Sequence, residues 1–453
     1  MNERMMLRLL GAGMSREEAP AKAACLAELG ESIHAFEGRS DGASSAYWVP
    51  GRIEFLGKHT DYAGGRSLLC ATERGICLCA SERPDRRLRM RDARTGEDVE
   101  CSLDPDLVPP AGDWRAYPMT VARRIARDFR GDLRGADIIF ASDLPPAAGL
   151  SSSSALIVAT FLALADINHL TSRIEYRRSI HTIEELAGYL GAVESGQRFG
   201  ALAEDLGVGT AGGSEDHTAI LCARAGALVQ YAFCPVRFER SITLPRDCCF
   251  VIATSGVRAE KTGGARERYN QAALAVQAIL DCWRHESGRD DATLASALAS
   301  SADAPDRLRG FVGKGRTGAF TAEDLVRRLE HFLTEDGEII PATADALQRG
   351  SLDRAGVLVD RSQASAESLL GNQVPETTTL ASTARALGAA AASSFGAGFG
   401  GSVWALVRAN DAAIFQRRWL EAYASRCPEY ADRVRAFSTR AGPAAIRLGV
   451  PEP

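Results

Sequence analysis

The sequence predicts an α+β protein built in two units. Strand-like and helix-like stretches alternate irregularly instead of repeating as βαβ. Polar, glycine-containing turns punctuate short apolar runs, as they do between paired strands. The chain holds 453 residues, against about 150 for an ordinary domain. No repeat of about 20 to 50 residues and no low-complexity linker marks a division. The boundary is therefore set near residue 240, giving units 1–240 and 241–453.

The first forty residues read as helical, with alanine-rich periodicity over 21–30, and lead into a polar loop at 38–45. Two β-like runs follow, YWVPGRIEFLG and SLLCATERGICLCA, separated by the turn HTDYAGG. Because side chains alternate along a strand, Cys77 and Cys79 share one face. An amphipathic helix is predicted over 115–129, then the apolar strand ADIIFASDL, a small-residue loop and a long apolar helix. Further helices are expected over 183–197 and 265–283, with strands at 227–233 and 248–254. A more polar helical region covers 292–352, followed by helices at 365–370 and 380–392. The tail reads as a glycine-rich loop, the strand SVWALV, a helix over 412–425 and the strand-like AIRLGV.

Composition narrows the function only broadly. With 53 basic and 58 acidic residues the net charge is −5, which argues against a general nucleic-acid binder and leaves room for local basic pockets. No run approaches the ~18 apolar residues of a membrane span, and MNERMMLRLLGAG is too short and too charged for a secretory leader. A cytoplasmic location without membrane contact is expected. Eleven cysteines without CxxC spacing read as reduced, buried small hydrophobes.

Three loops concentrate chemistry. PPAAGLSSSSA, ahead of the long apolar helix, combines unpaired helix amides with small side chains that let an anion approach the backbone. Its serine hydroxyls suit phosphate or magnesium; the plainer reading is a serine N-cap. VPGRIEFLGKHTDYAGG crowds Arg52, Lys58, His59 and Asp61 between two apolar runs, a density that suits a hydroxylated substrate; the plainer reading is a solvated hairpin turn. SFGAGFGGSVWALV contains GxGxxG at Gly396, Gly398 and Gly401, but a helix precedes it and a strand follows, the reverse of a dinucleotide fingerprint. The match at Gly207, Gly209 and Gly212 likewise lacks a preceding strand, and VGKGRTG lacks the GxxxxGK[ST] of a Walker loop.

Together these loops resemble the GHMP kinase superfamily, and within it the galactokinase family. GRIEFLGKHTDYAGG is similar to that family's GRVNLIGEHTDYNGG, Pro145 to Ser154 to its PxGxGLSSSA, and Gly396 to Gly401 to its GAGFGG. WRAY at Trp114 resembles WANY, and SQASAESLLGNQVPETTTL resembles a substrate-proximal helix pair. The resemblance covers about residues 46 to 410. It implies a ribosomal-protein-S5-like N-terminal α+β domain and a ferredoxin-like C-terminal domain with the active site between them. It also implies transfer of the γ-phosphoryl group of MgATP to the anomeric C1 hydroxyl of an aldose.

Carried over residue by residue, the resemblance makes Arg52 and Asp216 catalytic, Asp216 lying in GSEDH where the family has GIMDQ and Glu215 competing for the role of base. Substrate contacts fall to Lys58, His59, Asp61 and the amide of Gly213. ATP contacts fall to Trp114, Pro146, Gly149, Leu150, Ser151, Ser152, Ser153 and Ser154, and the third motif to Gly396, Gly398, Gly400 and Gly401. Ser153 and Glu194 would hold Mg2+, with Glu204 a rival on spacing. The expected partners are a small sugar and ATP, and nothing specifies an oligomeric state.

Departures from the pattern bear on the sugar. EHTDY becomes KHTDY, so Lys58 either pairs with a C6 carboxylate, as in galacturonate, or turns outward and leaves a site open to a pentose. Glu54 replaces an asparagine and His217 a glutamine, and Gly263 and Gly264 stand where a sugar-contacting tyrosine is expected, removing an aromatic wall. A mevalonate or homoserine kinase would lack HTDYAGG. A non-catalytic sugar sensor is the other alternative, against which Arg52, Asp216 and the serine loop all stand.

Overall fold

Two sheets, seen in a computed structural model that describes residues 2–37, 44–257, 263–313 and 318–449, carry the site between them. The first holds β1 (Ser44–Leu56), β2 (Arg66–Arg83), β3 (Arg87–Asp92), β4 (Asp98–Ser102), β5 (Gly135–Ser142), β6 (Ala227–Ala232) and β7 (Arg237–Thr243). The second is antiparallel throughout, in the order β11-β8-β10-β9, from β8 (Cys248–Thr254), β9 (Ala391–Ser394), β10 (Ser402–Arg408) and β11 (Arg435–Thr439). The last strand, β12 (Ile446–Gly449), returns to pair with β1 in the first sheet. The boundary expected at residue 240 lies within β7, whose ladder with β6 continues to Thr243.

β2 is long enough to take two partners along one edge. Arg66–Leu69 pairs with β6 and Ile76–Arg83 with β5, leaving a gap at its centre. The chain leaving β5 enters the serine loop beside that gap, and the Leu150 carbonyl accepts the Arg52 amide at 3.3 Å. β1, on the opposite edge of β2, thus brings Arg52 against the loop.

Side-chain alternation assigns the faces. Ala46, Trp48, Cys77 and Cys79 pack under the helices Asn2–Gly11 and Ala19–Glu37, while Tyr47, Val49, Ile76 and Leu78 point to the main core. The helices Ala116–Asp128, Ser152–Ile167, Ile183–Ser195 and Glu215–Cys222 contribute buried residues to that core. The sheets meet through Phe55, stacked on Trp404 with ring centroids 4.3 Å apart, and Phe250 edge-on to both. Another apolar cluster ties helices between Gly263 and Phe332 to Ala63 of the polar turn. Every cysteine is a free thiol. No helix among the described residues is long and apolar enough to cross a membrane.

Several elements differ from the sequence reading. β3 and β4 form a hairpin whose arginines alternate with Leu88 and Met90, so charge masks the buried face. Ala391 and Ala392, expected to end a helix, belong to β9, because that helix stops at Ala386. Residues 314–317 of VGKGRTG lie outside the described residues.

Candidate active site

Two cavities meet at Arg52. A small one of about 50 Å3 is lined by Arg52, His59, Asp61, Gly213, Asp216 and Tyr269, among others. A larger one of about 700 Å3 is lined by Arg52, Trp114, Pro146, Gly149 and Ser151 to Ser153. Ala397, in the third glycine-rich loop, also lines both.

The larger cavity receives the start of the helix Ser152–Ile167, whose first amides have no intrahelical partner. Its N-cap, Ser151, holds a left-handed backbone with φ 57° and makes no capping bond; its buried hydroxyl has no partner. Ala147 is also left-handed, at φ 51°. Strain of this kind costs on the order of 1–3 kcal/mol per residue and persists where surrounding structure imposes it. Oriented amides with a positive helix end favour an anion. Also in this lining, Trp114 meets Phe140 edge-on at 5.8 Å, and its indole N–H donates to Glu97 Oε2 at 3.1 Å. Leu150 and Ser154 do not line this cavity: Leu150 is core, and Ser154 is sealed beneath the helix.

At the junction Arg52 Nε donates to Asp216 Oδ1 at 2.6 Å, and Nη1 donates to the Gly149 carbonyl. Asp216 Oδ2 also accepts from Ser154 Oγ at 3.3 Å, and the same hydroxyl reaches Glu194 Oε2 at 2.7 Å. The hydroxyl beside Glu194 is therefore that of Ser154, not Ser153, because successive residues of the first helical turn point in different directions. Ser153 faces the larger cavity. Glu194 is 3.2 Å from His217 Nε2. Glu204 lies apart, two-thirds exposed and paired with Arg198, which removes it as a rival to Glu194. Hard oxygen donors for a divalent cation are thus Glu194, Asp216 and the serine hydroxyls. No group of three or more His, Cys, Asp or Glu side chains among the described residues is arranged to hold a metal.

Glu215 is turned away from the pair with Arg52, accepting from Ser67 Oγ at 2.8 Å. Burial, followed by Glu54 and Asp61, pushes its carboxyl well above the usual range. Asp61 accepts the Glu215 amide at 3.2 Å. A Cβ on Gly213 would stand 2.3 Å from Asp61 Oδ2, so only glycine brings the backbone this close. His59 is neutral, its pKa lowered to about 4 by burial and then by Arg328. Its Nε2–H donates to the Ala397 carbonyl at 3.1 Å, and Nδ1 accepts the Tyr62 hydroxyl at 2.8 Å.

Lys58 corrects both readings offered for it. It neither lines the cavity nor turns outward: it is 1% exposed and donates to Ser393 Oγ at 2.8 Å and Ser362 Oγ at 3.3 Å. Ser362 in turn donates to buried Glu335 at 2.9 Å. The expected loss of an aromatic wall is also corrected. Tyr269, on the helix that begins at Gly263, lines the cavity with its ring centroid 5.0 Å from that of His59. Of the third-motif glycines Gly396 alone lines either of these two cavities, and a Cβ there would press on the Gly149 carbonyl at 3.0 Å. Gly398 and Gly400 pack against the Asn372 and Val257 carbonyls, and Gly401 bonds to Val257, so they shape the loop. Sequence reasoning missed Tyr269, Thr210 and Ser195 as lining residues; Tyr269 stood in the segment TGGARERY, beyond the place searched.

A serine-loop anion site, a polar pocket beside it and an arginine–aspartate pair between them, held by two such domains, define a GHMP kinase. The family described as "GHMP kinases N terminal domain" matches residues 116–197, and "GHMP kinases C terminal" matches 343–425. The "Galactokinase galactose-binding signature" matches 34–82. A galactokinase of Streptomyces coelicolor is 30% identical over 374 residues, covering 80% of this chain and 84% of that one. One of Chloroflexus aggregans is 29% identical over 383 residues, covering 83% and 87%. The chain belongs to the galactokinase family and is a galactokinase-like sugar kinase. A crystal structure of Lactococcus lactis galactokinase complexed with galactose has the same fold, with a TM-score of 0.76 at 21% identity over 93% of this chain and 99% of that one.

Proposed function

We propose that the protein transfers the γ-phosphoryl group of ATP to the C1 hydroxyl of galactose or a closely related neutral aldose. The observation that carries this reading is the Arg52–Asp216 pair at the junction of the two cavities. A sugar in the small cavity and a triphosphate in the larger one would meet there.

In this reading Asp216 takes the proton of the C1 hydroxyl as that oxygen forms its bond to Pγ and the bond from Pγ to ADP breaks. Arg52 keeps Asp216 ionised and offers its guanidinium to the charge on the transferring group. The helix start at Ser152 and the hydroxyls of Ser151 to Ser153 bind phosphate oxygens, and Trp114 stacks on the base. His59, Asp61, Tyr269 and the Gly213 backbone orient the sugar, an arrangement that supplies proximity before chemistry. Glu194, with a serine hydroxyl, is the carboxylate that would hold Mg2+, whose charge would offset that of the phosphates. Residues 1–240 would contribute most of this machinery and residues 241–453 the closing wall from Tyr269 and Gly396.

A uronate is disfavoured, because Lys58 is turned away and Glu54, Asp61, Glu194, Glu215 and Asp216 all line the small cavity. A coupled ADP-release assay with galactose, galacturonate and arabinose tests the reading. Galactose should give the highest kcat/KM, and Asp216→Asn should lower kcat by about 10²–10⁴-fold with nucleotide affinity within a few fold. A fully active Asp216→Asn would remove that residue from the mechanism.

A further inference from the structure

The segment 196–214 joins two carboxylates of the site: it leaves the helix Ile183–Ser195 just after Glu194 and enters the helix Glu215–Cys222 just before Asp216. On the way it passes both cavities, with Val208 lining the larger and Thr210 the smaller. A helix end leaves its last carbonyls without partners, and here the segment supplies them. The Val208 amide donates to the Glu194 carbonyl at 2.9 Å, and the Asp205 amide donates to that of Gly196 at 3.0 Å. The crossing is backbone on backbone, since a Cβ on Gly207 would stand 2.5 Å from the Gly196 nitrogen and 2.6 Å from the Glu194 carbonyl oxygen. The direction of Glu194 therefore depends on a loop folded back over the end of its own helix.

Arginines of one helix, Ala116–Asp128, hold that loop down. Arg123 forks onto Asp205, with Nη2 donating to Oδ1 at 2.8 Å and Nε to Oδ2 at 2.9 Å, and the two side chains are 8% and 5% exposed. Parallel bonds of this kind fix direction as well as distance. Arg127 Nη1 reaches Asp205 Oδ1 at 3.2 Å, and both Nη atoms of Arg124 donate to the Gln197 carbonyl at 3.2 Å. Near its other end the loop is held by Asn270, on the helix Gly263–Ser287, which accepts the Ala211 amide at 2.9 Å and donates to the Gly209 carbonyl at 3.1 Å. Among the described residues lining the two cavities, neither Arg123 nor Asp205 appears.

Building on the reading of Glu194 as the carboxylate that would hold Mg2+, we propose that Asp205, gripped by Arg123, is a positioning residue for Glu194, so that an ion pair outside both cavities sets the affinity for a divalent cation with its nucleotide. The test is Mn2+ titrated into the full chain saturated with ADP, followed by loss of the free-Mn2+ electron paramagnetic resonance signal against an ADP-only blank. Asp205→Asn should raise the Mn2+ Kd at least fivefold with the number of sites per chain unchanged. A merely structural role would lower the number of sites, through unfolded chains, and leave the Kd of the rest as in the parent; a change in Kd below fivefold overturns the proposal. Should Asp205→Asn fail to fold, Arg127→Ala, which removes a part-exposed cation from the same carboxylate, decides instead: a Kd raised at least threefold supports the proposal and a smaller change overturns it. Glu194→Gln separates the two layers of the argument. If it raises the Kd tenfold or more while Asp205→Asn does not move it, only the positioning role fails. If it leaves the Kd within twofold of the parent, the metal reading of Glu194 fails and the proposal falls with it.

Discussion

Replacing Lys58 with methionine separates a scaffold role from a sugar-reading one. Methionine roughly matches the lysine stem and deletes the cation, leaving Ser393 and Ser362 without their donor and the Glu54 and Glu335 carboxyls without their nearest ammonium. Removing one partner from a buried charged network costs about 3–5 kcal/mol. Part of this is recovered where a remaining carboxyl takes up a proton, and Glu54, already pushed up to about 7, is the group placed to do so. About 2–4 kcal/mol should therefore be lost near pH 7, more at pH 8 and less at pH 6, because protonation relieves the uncompensated charge. Urea unfolding at the three pH values measures the loss, and a sugar panel on the folded variant measures specificity. The galacturonate-to-galactose ratio should stay within threefold of the parent. A variant within about 0.5 kcal/mol of the parent that changes sugar preference would refute the buried-network account.

Two further outcomes are expected. Glu194→Gln should lower kcat at least 100-fold, while Glu204→Ala, at an exposed pair with Arg198, should leave kcat within twofold; steady-state kinetics distinguishes them. His59, held at about 4 against an ordinary 6.5, stabilises the fold fully above about pH 6.5, and the contribution is lost as pH falls toward 4 because only the unfolded chain takes the proton. Down to pH 4.5 this amounts to about 2–3 kcal/mol, so His59→Gln should lose less stability between pH 7 and 4.5 than the parent does in denaturant titrations.

Much of the site was legible because its chemistry is local. The small residues of the serine loop, the polar turn between β1 and β2 and the glycines before β10 each occupy one short segment. The direction of Lys58 was not legible, since Glu335, Ser362 and Ser393, which hold it, lie about 300 residues away in the chain. Four adjacent serines are chemically identical, and only the helix phase beginning at Ser152 decides that Ser154 faces Glu194. Tyr269 escaped because the aromatic wall is delivered by a helix six residues beyond its start at Gly263. In the fold, apolar alternation exposed β1 and β2, whereas arginines on the outer face hid β3.

The pairing of β12 with β1 has a consequence for synthesis. β1 is made well before the strand that covers its free edge, Ile446–Gly449, which lies at the far end of the described chain. Until that strand is made the nascent chain presents an open strand edge. A stall or premature stop anywhere before β12 leaves that edge ready to pair with another chain, so intact translation to this point is itself a condition of solubility.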